Sequence, residues 1–156
     1  MRLGAEVAYH AGLIYEERLH DLCYKGTDFL LLEMPFSRWT PNILRDVERL
    51  RGAHGVTPVI AHIERYFSSQ DKGAVEELMN MDVLIQVNAE YVLNCRPSYR
   101  VRHLLRDGRV DLLGSDCHNL ETRKPNLGDA RDRMLEWGME EELLRIRENS
   151  KKVLGL

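Results

Sequence analysis

The chain has 156 residues, of which 44% are hydrophobic and 30% are charged, as expected for one soluble globular domain with a sizeable core. Its formal net charge of −3 argues against nucleic-acid binding, because no basic excess is available to neutralise a run of phosphates. No apolar run approaches the length of a membrane span, and the first residues lack the apolar stretch of a signal peptide, so we expect no membrane insertion.

Five short segments rich in aliphatic residues have the composition of β-strands. Four of them are almost continuously apolar rather than alternating, which is typical of parallel strands that are covered on both faces. In chain order, the predicted strands are Leu3–Ala8, Asp28–Glu33, Thr57–His62, Asp82–Asn88 and Val110–Ser115.

Helical patterns fill the intervals between these strands. Thr40 and Pro41 form a start signal, an N-cap residue followed by proline in the first turn, and apolar residues then recur at helical spacing up to Leu50. Further helices are predicted over 71–80, over 98–107 with Gly108 as the stop, from Leu127 to Trp137, and from Met139 past Ile146.

The alternation of strands and helices predicts an α/β fold with a parallel sheet. The sequence has no low-complexity linker and no internal repeat, so we predict a single domain over residues 1–156. Periodicity does not distinguish a closed βα barrel from an open sheet. In both architectures, the chemistry gathers at the carboxyl ends of the strands.

Three of the predicted strands contain or end in candidate metal ligands. These are Glu6 in the first, His62 at the end of the third, and Asp116 and His118 after the fifth. On an extended strand Asp116 and His118 would point to the same face, since they are two residues apart. A lone histidine at a strand end is more often structural, but the convergence of four candidates favours a metal, with manganese, iron or zinc suited to mixed nitrogen and oxygen ligands.

Two arginines follow the candidate ligands on loops leaving the same edge of the sheet. Arg65 comes three residues after His62, and Arg123 five residues after His118. A planar guanidinium group matches the oxygens of a phosphate, so we expect both arginines to bind one. The alternative is two surface ion pairs with Glu64 and Glu121.

The role of Glu33, at the end of the second predicted strand, stays open. Its carboxylate could orient a metal ligand from outside the coordination shell, or it could simply meet solvent.

The three cysteines, Cys23, Cys95 and Cys117, are widely separated and form no CxxC pair, which favours a reducing, cytoplasmic location.

Cys117 and Arg123 have the five-residue interval of cysteine-dependent tyrosine phosphatases. Their interval contains no glycine and includes Glu121, whereas a phosphate-binding loop needs small residues that expose successive backbone N–H groups. We therefore reject a thiol mechanism.

Several segments together resemble one protein family. Residues 58–66 (PVIAHIERY) and 113–119 (LGSDCHN), with residues 3–7 (LGAEV) and 31–36 (LLEMPF), are similar to motifs of the polymerase and histidinol phosphatase (PHP) superfamily, in its capsule-associated tyrosine phosphatase branch of CpsB and YwqE type. The resemblance covers essentially the whole chain.

This resemblance implies a distorted, TIM-like βα barrel that holds several metal ions, usually manganese, and hydrolyses phosphotyrosine. Glu6, His62, Asp116 and His118 would be metal ligands, and Arg65 and Arg123 would hold the phosphate. The substrate would be the phosphotyrosine-rich tail of a tyrosine kinase of polysaccharide export.

The sequence departs from the family pattern in lacking the His-x-His pair that opens such barrels. It begins where the family's middle begins, so we expect a barrel that is incomplete at its N-terminus, with weak metal binding and little or no phosphatase activity. A strand edge and apolar core left uncovered in this way would favour a homo-oligomer. The alternatives are a non-catalytic scaffold and a histidinol-phosphatase-like enzyme.

Overall fold

The computed structural model describes residues 3–94, 98–121 and 123–156. Its strands are β1 (Glu6–Ala8), β2 (Phe29–Glu33), β3 (Thr57–Ile60), β4 (Leu84–Asn88) and β5 (Leu112–Gly114). Its helices are α1 (Leu19–Leu22), α2 (Pro41–His54), α3 (Lys72–Met79), α4 (Ala89–Leu93), α5 (Ser98–Arg106), α6 (Leu127–Glu136) and α7 (Glu140–Leu154), and short 3-10 turns cover Leu13–Tyr15 and Ile63–Tyr66.

The five strands form one parallel sheet in the order β1-β2-β3-β4-β5. Each strand is therefore beside its neighbour in sequence, which is the strand order of a βα barrel rather than that of a doubly wound sheet. Within the described residues the barrel is not closed, since β1 pairs only with β2 and β5 only with β4. The predicted α/β fold with a parallel sheet is confirmed.

The two faces of the sheet are covered by different apolar clusters. Leu30, Leu32 and Ile60 point to the face that packs in the large core with the helices. The neighbouring positions Leu31 and Val59 point the other way, into a small cluster that includes Val153 of the last helix. Burial on both faces explains why these strands are continuously apolar instead of alternating.

Helix α2 illustrates how local signals set the boundaries of an element. The side chain of Thr40 accepts a hydrogen bond from the backbone N–H of Ile43, and Pro41 occupies the first turn. Gly55 ends the helix in a left-handed conformation with φ of 68°. This arrangement satisfies the backbone groups that every helix end leaves without an intrahelical partner.

Several predicted strand boundaries were wrong. Strand β1 begins at Glu6 rather than Leu3, because Leu3 and Ala5 form their backbone hydrogen bonds with Lys25 and Leu22 outside the sheet. Strand β3 ends at Ile60, before His62, and β5 ends at Gly114, before Ser115. Within the described part of the chain, no helix combines the length and apolarity that crossing a bilayer requires.

Candidate metal and phosphate site

Three of the six predicted site residues line one cavity, and the other three contact Asp116. His62 lies two residues beyond the end of β3, and Asp116 two residues beyond the end of β5. Glu6 is the first residue of β1 rather than its last. Glu6, His62 and Asp116 line a cavity of about 190 Å³, together with the polar side chains of Gln86 and Asn88 from β4.

Glu6, Glu33 and His62 form the tightest group of potential metal ligands. The Nε2 atom of His62 lies 3.0 Å from Oε1 of Glu6 and 3.4 Å from Oε1 of Glu33. One donor atom from each residue lies within 4.8 Å of the other two. Only 3% of the His62 side chain is exposed, whereas 43% of Glu6 is exposed, so the group opens to solvent on its carboxylate side.

The donor atoms of this group fit a divalent metal ion. One imidazole nitrogen and two carboxylate oxygens suit manganese, iron or zinc, and three protein ligands leave positions open for water or substrate. The Nδ1 atom of His62 is buried and has no hydrogen-bond partner among the described residues. All polar contacts of the ring are therefore on its Nε2 side, toward the two carboxylates.

Asp116 is the centre of a second polar group. Its Oδ1 atom lies 3.1 Å from Nε2 of His118, and its Oδ2 atom accepts hydrogen bonds from the guanidinium groups of Arg65 and Arg123. Burial acts to raise the pKa of Asp116, but the hydrogen bond with His118 and the charges of the two arginines outweigh it, so the pKa lies below its usual value. Asp116 is therefore ionised at neutral pH.

Arg65 connects the two groups. Its Nη1 atom lies 3.8 Å from Oε1 of Glu33, and its Nη2 atom bonds Asp116. The alternative expectation of surface ion pairs with Glu64 and Glu121 does not describe the pairing found, because both arginines bond Asp116 instead. The two arginines thus converge on one point beside the metal-ligand group, which suits a doubly charged phosphoryl group.

The expectation that Asp116 and His118 share a face of an extended strand was wrong in its geometry. Asp116 has a φ of 49° and His62 a φ of 36°. In the described part of the chain, they are the two non-glycine residues with positive φ. Such conformations are strained for residues with a Cβ atom and cluster at functional sites. The Asp116–His118 contact exists because the chain turns sharply after β5.

Comparison with known proteins bears on what this site belongs to. A family described as "Capsular polysaccharide synthesis, CpsB/CapC" matches residues 1–155. The chain belongs to this family.

Among relatives, the tyrosine-protein phosphatase CpsB of Streptococcus agalactiae serotype III is 32% identical over 140 residues, which are 81% of this chain and 56% of that protein. The CpsB of Streptococcus pneumoniae is 36% identical over 89 residues, 50% of this chain and 36% of that protein. The chain thus spans little more than half the length of the first of these relatives.

The fold is that of a solved relative. The crystal structures of YwqE from Bacillus subtilis and CpsB from Streptococcus pneumoniae, described as unique metal-dependent tyrosine phosphatases, match with a TM-score of 0.80 at 19% identity. The match covers 97% of this chain and 63% of that one. The predicted family and the predicted α/β fold with a parallel sheet are confirmed.

In this CpsB/CapC family chain, sequence reasoning left open or missed several residues of the site. Glu33 belongs with Glu6 and His62, and its position at a strand end was the available signal.

Glu64 is almost fully buried, and its carboxylate accepts a hydrogen bond from the backbone N–H of Asn88 at 3.3 Å. Burial raises the pKa of Glu64 to about 7, although the N–H of Asn88 and the charge of Arg65 act against this. Gln86 was missed too, since a single amide on a strand carries no motif.

Proposed function

We propose that this chain carries the site of a metal-dependent phosphomonoesterase that acts on phosphotyrosine in proteins and serves capsular polysaccharide synthesis. The observation that supports this most directly is the geometry of the cavity. The ligand group of Glu6, Glu33 and His62 lies beside two arginines that converge on Asp116. Relatives from Streptococcus agalactiae are named tyrosine-protein phosphatases, and the family is that of capsular polysaccharide synthesis.

Glu6, Glu33 and His62 would hold a metal ion, with manganese as the first candidate and iron or zinc as alternatives. By resemblance to the family, Asp116 and His118 would be further ligands in a multinuclear site. When bound, such ions lower the pKa of water and neutralise charge on a phosphoryl group. The remaining work of binding and orienting the substrate would fall to the protein's own side chains.

Arg65 and Arg123 would bind the phosphoryl oxygens. Both now donate to the same carboxylate oxygen of Asp116, so a phosphate entering the cavity competes with that carboxylate for their N–H groups. A phosphate monoester offers three oxygens and about two negative charges, and it can therefore satisfy both guanidinium groups at once. The phenolate of tyrosine is a fair leaving group, so the site needs no strong general acid.

A second candidate is phosphotyrosine binding without turnover. The described residues contain one three-donor group, and the sequence has no His-x-His pair. A multinuclear site depends on several ligands that hold mutually repelling ions close together. With this ligand set we expect one weakly held ion and slow hydrolysis by the 156-residue chain.

The test uses the purified chain, Mn²⁺ and a phosphotyrosine peptide, with the Streptococcus agalactiae relative as the positive control for hydrolysis. We expect peptide binding that Arg65→Gln and Arg123→Gln each weaken by about tenfold or more, since each removes a charged hydrogen-bond donor. Arg38→Gln is the matched control, because this exposed arginine pairs with Asp71 outside the cavity. Phosphate release measures turnover, and Asp116→Asn should abolish whatever manganese-dependent release is found.

Equal binding by the wild type and by Arg65→Gln and Arg123→Gln would contradict the proposed site. Fast manganese-dependent turnover would instead exclude the binding-only candidate. Histidinol phosphate, tested beside the phosphotyrosine peptide, checks the histidinol-phosphatase alternative, and we expect the peptide to be preferred.

The partner, the oligomer and the location also belong to this proposal. The partner would be a tyrosine kinase of polysaccharide export with a phosphorylated tail, and neither a nucleic acid nor insertion into a membrane is proposed. A homo-oligomer is supported by strand β1, which in the described residues pairs with β2 alone and so leaves one edge free to pair with another chain. Light scattering that gives a monomer at high concentration would contradict this. A cytoplasmic location is supported by the free thiols of Cys23 and Cys117.

A further inference from the structure

Two buried amide side chains on β4 connect the two polar groups of the site. The backbone N–H of His62 donates to Oε1 of Gln86 at 2.7 Å. Nε2 of Gln86 donates to Oδ1 of Asn88 at 3.0 Å, and Nδ2 of Asn88 donates to Oδ2 of Asp116 at 3.2 Å. An unbroken series of three hydrogen bonds thus runs from His62, two residues beyond β3, to Asp116, two residues beyond β5.

Both ends of this series are residues in strained backbone conformations. His62 and Asp116 are the two described non-glycine residues with positive φ, and such conformations persist only where the surroundings determine them. Gln86 bonds the strained backbone of His62 directly, and Asn88 bonds the side chain of Asp116. The backbone N–H of Asn88 is in turn bonded to buried Glu64, which fixes the position of Asn88 itself.

The neighbouring strand leaves room for this arrangement. Gly114, opposite Asn88 in the β4–β5 ladder, lies against the Gln86 side chain, and a Cβ atom at position 114 would collide with the Gln86 amide nitrogen. Gly114 does not have positive φ. A side chain at position 114 would therefore displace the Gln86 amide, whereas the backbone conformation there does not call for glycine.

We infer that Gln86 and Asn88 are positioning residues, which hold His62 and Asp116 in fixed relation so that the metal-ligand group and the phosphate-binding group act on one substrate. This inference rests on the proposed function and adds to it Gln86, Asn88 and the close approach of Gly114 to the Gln86 amide. Ligands on separate strands keep a constant spacing when hydrogen bonds between the strands fix their positions. Partners of this kind, when removed, cost metal sites roughly tenfold to a hundredfold in affinity.

The chain offers a matched control for a purely structural role of a buried glutamine. Gln70 has the same exposure as Gln86, 8%. It likewise accepts a backbone N–H, from Trp39 at 2.8 Å, and its amide donates to the carbonyl oxygens of Phe36 and Ser37. None of these partners belongs to the site. Replacing either glutamine removes the same chemical group, but only Gln86 bonds a site residue.

The experiment compares Gln86→Met with Gln70→Met in the full 156-residue chain. In the metal-free protein, NMR hydrogen exchange reports on the amide of His62, which should exchange about tenfold faster in Gln86→Met and be unchanged in Gln70→Met. Calorimetric titration with Mn²⁺ should show about tenfold weaker binding, or more, in Gln86→Met alone. Both variants should lose comparable stability toward urea.

Gly114→Ala tests the same arrangement without removing an amide. It should reproduce part of both effects, whereas Gly128→Ala, where a Cβ atom meets no neighbour, should produce neither. Unchanged His62 exchange in Gln86→Met, or equal effects of Gln70→Met, would overturn the inference. Absence of Mn²⁺ binding by the wild type would count against the proposed function, and the His62 exchange comparison would still decide the positioning role.

Discussion

At the scale of the residue, the two described cysteines differ in the surroundings of their sulfur atoms. Cys23 is 4% exposed, and its Sγ atom lies 3.7 Å from the carbonyl oxygen of Leu19. Burial, with a smaller contribution from the charge of Asp28, raises the pKa of Cys23 to about 11. Cys117 is exposed and lies between Asp116 and His118. The two thiols should therefore differ strongly in reactivity.

We expect iodoacetamide to modify Cys117 quickly in the folded chain and Cys23 very slowly. With a pKa of about 11, roughly one Cys23 thiol in a thousand is ionised at pH 8. The alkylation rate of Cys23 should increase about tenfold for each unit of pH below that pKa, because the thiolate is the nucleophile. Peptide mass spectrometry resolves each site, including Cys95, which lies outside the described residues. In urea Cys23 should react like the others, and fast labelling of folded Cys23 would contradict the prediction.

Residue identities at the site were predictable where a titratable side chain follows an apolar strand. His62, Asp116 and His118 were found in this way, and Glu6 was found inside the first predicted strand. The structure places Glu6, His62 and Asp116 at one cavity and His118 in contact with Asp116. The partner of each arginine was not predictable, because Asp116 bonds both only after the segments that follow β3 and β5 bring Arg65 and Arg123 together. Their roles in metal and phosphate binding remain predictions.

At the scale of the element, helix α2 has one glycine in its last turns and another directly after its end. Gly52 lies in the last turns of the helix, and Gly55 ends it with φ of 68°. A Cβ atom at either position would meet no neighbouring atom within 4 Å. Differences between alanine substitutions at these two positions therefore report backbone conformation alone.

We expect Gly55→Ala to lower the free energy of unfolding by about 1 kcal/mol, since alanine resists the left-handed conformation. Gly52→Ala should raise it by about 0.5–1 kcal/mol, because alanine is the better helix former at a position that tolerates it. Urea denaturation followed by circular dichroism measures both. Changes of the same sign would show that helix α2 does not end at Gly55 in solution.

Helices α3, α5 and α6 and the starts of α2 and α7 were predicted within a residue, whereas the strand ends at the site were not. Capping residues and apolar spacing determine α2 and α7 locally. By contrast, β3 and β5 stop early because His62 and Asp116 adopt left-handed conformations, which no local pattern signals. Hydrogen bonds from another strand help to hold these conformations, so the site's geometry is a tertiary property.

At the scale of the whole molecule, the parallel order β1-β2-β3-β4-β5 gathers residues from distant parts of the chain. Glu6 and His62 are 56 residues apart in sequence, yet their donor atoms are 3.0 Å apart. Two carboxylates and one imidazole this close together can share one bound cation. A cation that binds the folded chain and not the unfolded one would stabilise the entire domain.

We therefore expect Mn²⁺ to raise the melting temperature of the chain. At a metal concentration a hundredfold above the dissociation constant, the increase should be roughly 5–10 °C. Glu33→Gln should remove most of the increase, while Glu48→Gln, on the exposed face of α2, should leave it intact. Differential scanning fluorimetry with and without EDTA measures it, and an equal shift in Glu33→Gln would argue that the ion binds elsewhere.

Ser150, Val153 and Leu154 of helix α7 form one wall of the cavity, although the last helix supplies no candidate ligand. The size of the cavity and the identity of its candidate ligands are therefore set by different parts of the chain. Substitutions at these three positions would change the volume beside the candidate ligands, while every candidate ligand stays as it is.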